Sequence, residues 1–125
     1  MKIEFDVEIT DENIDDIMSC AFEGGINYWC GKVEVLGDYL GAYASDQISR
    51  GGKLVIYDIE EPDCWVLNKE KMLKGIEKFI KFELERGQKV LTFDDGKCVL
   101  ADYMMDAIWG DLCVQFALFG EIVFG

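Results

Sequence analysis

The chain contains no histidine. That absence removes the Ser-His and Cys-His nucleophile pairs, His-ligated zinc, and the side chain best suited to proton transfer near neutral pH. The five cysteines, Cys20, Cys30, Cys64, Cys98 and Cys113, are odd in number and include no CxxC pair. They read as reduced, mostly buried thiols rather than as a disulfide framework or a metal site. Gly24-Gly25 and Gly51-Gly52 are isolated pairs, without the GxGxxG or Walker spacing that cradles phosphates. No run approaches the roughly 18 uncharged apolar residues of a membrane span. The start, Met1-Lys2-Ile3-Glu4-Phe5-Asp6, is acidic and alternating where a secretion signal is basic and then continuously apolar. A cytoplasmic location without a membrane partner is expected, with no catalytic residue, metal or cofactor.

Basic residues are scarce too: 12 Lys and Arg oppose 25 Asp and Glu, for a formal net charge of −13 over 125 residues. With 50% hydrophobic residues, 13% aromatic residues and a single proline, the chain can bury a core. The acidity therefore belongs to the surface of one small folded domain, residues 1–125, and not to a disordered tail.

Ile3, Phe5, Val7 and Ile9 alternate with Glu4, Asp6 and Glu8, the period of a strand with one wet, acidic face. Thr10 suits the cap of a helix whose first turn holds Asp11 and Glu12. Its apolar stripe is Ile14, Ile17, Met18 and Ala21, and Gly24-Gly25 ends it. Ile26 to Val35 is rich in β-branched and aromatic residues but broken by glycine, and Tyr39 to Ser49 reads as a loop or a short irregular helix. A strand is expected over Lys53–Ile59, turning at Glu60-Glu61-Pro62-Asp63 into Cys64–Leu67. Asn68 caps the clearest helix, Lys69–Arg86, closed by Gly87. Lys89–Phe93 and Lys97–Leu100 flank the hairpin turn Asp94-Asp95-Gly96. A last helix is expected over Asp102–Leu118, carrying Met104, Met105, Ile108, Leu112, Val114 and Phe116. The apolar end Ile122-Val123-Phe124 suggests a docked strand or an oligomer contact. Together these elements predict a single α+β domain, an antiparallel sheet packed with two main helices.

Charge is unevenly placed. Residues 1–23 hold eight acids and one base, whereas residues 68–89 hold four acids and seven bases. Two surfaces of opposite sign follow. The acidic one, Glu4, Asp6, Glu8, Asp11, Glu12, Asp15 and Asp16, can imitate the phosphates of a nucleic acid toward a basic groove, or only keep the protein soluble. The basic one, Lys71, Lys74, Lys78 and Lys81 on one helix face, suits a phosphate-bearing ligand, the acidic face of a second copy, or bulk water. Phe82 falls on the same side and reads either as a ring free to stack on a base or as one packed under a neighbouring segment. Arg50 and Tyr28 are further candidates for such a nucleotide site, and Trp29 is expected in the core. Asp58, Glu60, Glu61 and Asp63 converge on a turn, but their spacing fits no cation-binding loop.

The stretches Glu23-Gly24-Gly25-Ile26-Asn27-Tyr28-Trp29-Cys30, Ala44-Ser45-Asp46-Gln47-Ile48-Ser49-Arg50-Gly51-Gly52 and Phe116-Ala117-Leu118-Phe119-Gly120-Glu121-Ile122-Val123-Phe124-Gly125 resemble a family of short acidic proteins. The family is encoded by phages and prophages of Gram-positive gut bacteria. The likeness spans most of the chain and brings no catalytic assignment. It implies a non-enzymatic inhibitor of a bacterial defence effector, anti-CRISPR-like, acting in the host cytoplasm. Its partner would be a basic, nucleic-acid-binding host protein, with no direct contact to nucleic acid. Sequestration of a nucleotide signal by the lysine helix is one alternative, and a phage accessory role without a defence phenotype is another. Opposite-signed surfaces and the apolar end motivate a homodimer.

Overall fold

The computed structural model describes residues 6–125. Glu4, and Ile3 and Phe5 of the expected first strand, lie outside the described residues. The described remainder of that strand makes a single parallel bridge, Glu8 to Val99, with the Glu8 amide donating to the Cys98 carbonyl at 2.9 Å. The fold is α+β as expected; among the described residues it has three α-helices and two antiparallel sheets, of three and two strands.

Helix α1 (Asp11–Cys20) starts where its capping chemistry places it. Thr10 Oγ1 accepts from the Asn13 amide at 3.1 Å, and Asn13 Oδ1 accepts from the Thr10 amide at 2.9 Å. Such a reciprocal cap is worth about 1 kcal/mol. Ile14, Ile17, Met18 and Ala21 are all buried. A wide turn, Ala21–Gly25, follows, and Gly24 reverses the chain at φ +128°.

The ambiguous stretch after it resolves into strand β1 (Cys30–Leu36), which pairs with β2 (Lys53–Asp58), which pairs with β3 (Cys64–Leu67). Central β2 turns Leu54 and Ile56 into the core, and Val55 on the opposite face is buried between its paired neighbours Glu34 and Val66. Between β1 and β2 the chain is a loop with one tight turn at Ala44–Asp46.

Helix α2 (Lys69–Glu85) is capped by Asn68, whose Oδ1 accepts from the Lys71 amide at 2.8 Å. It buries Met72, Ile76, Phe79 and Ile80, while Leu73 beside Met72 is exposed. Strands β4 (Leu91–Asp94) and β5 (Lys97–Leu100) form the second sheet around a tight turn in which Asp95 and Gly96 both have positive φ.

The last helix begins later than its composition suggests. Asp102–Met104 is a single tight turn, and α3 (Ala107–Phe119) starts behind Asp106, whose Oδ1 accepts from the Trp109 amide at 2.8 Å. An aspartate able to satisfy that amide makes a better start than a helix interior. The rotation of α3 differs as well: Ile108 is 69% exposed, whereas Trp109, Gly110, Asp111, Cys113, Val114 and Gln115 are buried.

Helix α3 is the spine against which α1 and α2 pack, and glycine sets the separation at both crossings. A Cβ on Gly75 would sit 2.5 Å from the Ala117 amide nitrogen, and one on Gly110 would sit 2.7 Å from that of Ala21. The carboxyl-terminal residues form no strand. Phe124 stacks on Trp29 with ring centroids 4.9 Å apart, and Trp65 and Phe119 complete the aromatic cluster. No helix among the described residues is long and apolar enough to cross a membrane.

Candidate functional site

Capping at Thr10 points the first turn of α1 outward, with Asp11 and Glu12 exposed. Of the acidic candidates, Asp6 and Glu8 are exposed ahead of the helix, and Asp15 and Asp16 are half-buried along it. Several already have partners. Glu8 meets Lys97 at 3.3 Å and Asp11 meets Lys69 at 2.8 Å, both in solvent, where such pairs contribute little. Asp15 accepts from the Ser49 hydroxyl at 2.6 Å.

Asp16 lies against Asp102, carboxyl to carboxyl. The hydrogen bond between them, then burial, then the charge of Asp102 raise Asp16 to about 6. Asn13 Nδ2 supports the pair from the other side, donating to Asp102 Oδ1 at 3.2 Å. Cys20 sits beside this cluster. Burial raises its thiol first, and the charges of Asp16, Glu23, Asp106 and Asp102 add to the effect. A thiol held protonated in this way is a poor nucleophile.

The start of α1, the β4–β5 hairpin and the turn at Asp102 enclose an open groove of about 450 Å³. Glu12, Asp94 and Asp102 supply its charge, and no lysine or arginine lines it among the described residues. Two aromatic rings stand over it, Phe93 at 76% and Tyr103 at 79% exposure. Neither ring, nor Asp94 or Asp102, is singled out by the sequence pattern as a site residue. The available signal was weak: Phe93 ends a strand, where one face is wet, and Tyr103 falls in the segment expected to be helix.

The basic candidates do not converge. Lys71 Nζ donates to the Val66 carbonyl at 2.8 Å, and Lys78 Nζ to the Gly120 carbonyl at 3.4 Å. Lys74 pairs with Glu70 at 3.2 Å and Lys81 with Glu77 at 3.1 Å. Phe82 is not a free ring: it packs on Phe116 at 5.5 Å, with the Arg86 guanidinium 5.3 Å from its centroid. Arg50 is occupied elsewhere, donating to the Leu40 carbonyl at 3.1 Å beside Asp46.

Tyr28, itself exposed, joins a network of buried polar groups that the sequence did not reveal. Its hydroxyl donates to Asp111 Oδ2 at 2.6 Å, and Trp29 Nε1 donates to Asp111 Oδ1 at 2.8 Å. Gln115 Nε2 donates to the same carboxylate at 2.9 Å, while its Oε1 accepts from the Val123 and Phe124 amides at 2.8 Å each. Burial and then the bond to Asp111 push the Tyr28 hydroxyl up to about 12, so it stays a donor. The tail expected to pair as a strand or contact another chain is thus fastened to its own helix.

At the acidic turn, the Asp58 carboxylate accepts from the Glu61 and Glu60 amides, which hold it below the usual carboxylate range. No cluster of three or more metal-ligating side chains occurs among the described residues. All five cysteines are free thiols; Cys98 and Cys113 are buried, but Cys64 is exposed, against the expectation for a mostly buried set. No family model matches the chain, and no curated protein or solved structure matches it.

Proposed function

We propose that the protein is a non-enzymatic binding module that seats a basic protein surface on the face formed by α1, the β4–β5 hairpin and the Asp102 turn. The observation that carries this reading is the joint presence in one groove of two exposed rings, Phe93 and Tyr103, with the carboxylates of Glu12, Asp94 and Asp102. Exposed aromatic side chains are the usual anchors of protein interfaces. Carboxylates around them attract the lysines and arginines that otherwise hold phosphates. Asp6 extends the negative surface along the segment leading into α1, whereas Glu8 and Asp11 there are paired with Lys97 and Lys69.

With the resemblance to phage and prophage proteins as context, the partner in this reading is a nucleic-acid-binding effector of bacterial defence, which the protein inhibits in the host cytoplasm by occupying its basic groove. The lysine helix supports a nucleotide-sequestering role less well, since its four ammonium groups already have carbonyl or carboxylate partners.

Tagged protein used as bait in host lysate tests the reading. The wild type is expected to retain a stoichiometric basic protein that rising salt releases. Glu12→Lys with Asp94→Lys, in a chain with unchanged circular dichroism, is expected to retain none. Equal capture by the reversed variant would refute the assignment of the face.

A further inference from the structure

A second groove, of about 390 Å³, runs between α2, the segment preceding α1, and β4. Val7, Ile9 and Leu91 form its outer wall. On the α2 side Leu73 and Leu84 stand 41% and 45% exposed, one helix face away from buried Ile76. Glu77 and Lys81 lie along the same rim, bonded to each other at 3.1 Å. Positions 73, 77, 80 and 84 share a seam because steps of four, three and four residues return to one side of a helix.

The order of residues along this seam is self-complementary. Leu73 and Leu84 are centred within one residue of the centre of Glu77 and Lys81. A two-fold axis through that point lays α2 antiparallel on a copy of itself. It places Leu73 of each copy against Leu84 of the other, and Glu77 of each against Lys81 of the other. Such an axis keeps the same flank of both helices together, so Glu77 and Lys81 of one copy face Lys81 and Glu77 of the other. We propose that α2 forms a two-fold homodimer interface, in which a second copy of this chain covers the groove and Glu77 and Lys81 close a ring of four alternating charges. The partner is fixed by charge complementarity: the rim of this groove fits its own mirror order, whereas the acidic face around Phe93 does not.

Charge exchange tests the register directly, using residues exposed enough to leave the fold intact. By sedimentation velocity over the micromolar range, the wild type is expected to pass from monomer to dimer with rising concentration. Glu77→Lys alone, or Lys81→Glu alone, turns both cross-contacts repulsive and is expected to raise the dimer dissociation constant about tenfold. An equimolar mixture of the two variants, and the double variant carrying both changes, restore opposite charges and are expected to recover the wild-type value. A wild type that stays monomeric throughout, a dimer indifferent to the single changes, or a mixture no tighter than its components would overturn the proposal.

Discussion

Replacing Asp16 by asparagine is expected to stabilise the protein near neutral pH and to remove part of its pH dependence. The carboxyl of Asp16 is raised from 3.8 to about 6 by its bond to Asp102, by burial and by the charge of Asp102. The folded chain therefore holds a proton through the interval from 3.8 to about 6, in which the unfolded chain releases it. Stability contributed here grows as pH falls through about 6 and is lost as pH rises. Asp16 is partly open to solvent, so the cost of ionising it in the fold is discounted to about 1 kcal/mol. An amide at position 16 can donate to Asp102 as Asn13 does, without adding a charge. Urea unfolding of both chains between pH 4.5 and 7.5 is the assay, at roughly unit intervals. The variant is expected to be more stable by about 1 kcal/mol at pH 7, with the difference closing toward the acid end. A difference constant in pH, or a variant less stable than wild type at pH 7, would refute the raised Asp16 carboxyl.

Three further outcomes follow from the packing. Asp111→Ala strands the Trp29 indole and takes one bond each from the Tyr28 hydroxyl and the Gln115 amide, which keep the Phe124 carbonyl, and is expected to cost about 2 kcal/mol in urea unfolding; carboxypeptidase digestion of the loosened tail should accelerate with it. Gly75→Ala drives a methyl into the Ala117 backbone and is expected to cost about 2 kcal/mol, whereas Lys74→Ala, one residue away on the exposed side, changes stability by less than about 0.5. Alkylation of the native protein, read by peptide mass, is expected to mark Cys64 first and Cys113 last, because one is exposed and the other fully enclosed with its thiol raised by burial.

Much of the fold is legible in local chemistry. Thr10, Asn68 and the Asp95-Gly96 turn each fix an element boundary through bonds made within a few residues, and those elements lie where the pattern puts them. Helix α3 was less legible because it is apolar on most sides: no polar face marks its rotation, so Ile108 and Trp109 could exchange roles without disturbing the pattern. Asp106 as its true cap competes with Asp102, an equally plausible start by residue type. The polar core escaped for a different reason. Nothing in the local pattern marks Asp111 and Gln115 as buried, because their partners Tyr28 and Trp29 lie more than 80 positions from Asp111 in sequence. The acidic face was visible as a charge imbalance, but its aromatic anchors were not, since Phe93 and Tyr103 become neighbours only when the hairpin folds against the start of α1.

The most direct test of the central claim is the affinity of the purified protein for its captured basic partner, measured across a salt series for the wild type and for the Phe93→Ala, Tyr103→Ala double variant. Affinity that falls steadily with salt, and that drops about tenfold or more at every salt concentration when both rings are removed, is the predicted result. Affinity independent of salt and untouched by loss of the rings would contradict the account, because neither the charge nor the anchors of this face would then be holding the partner.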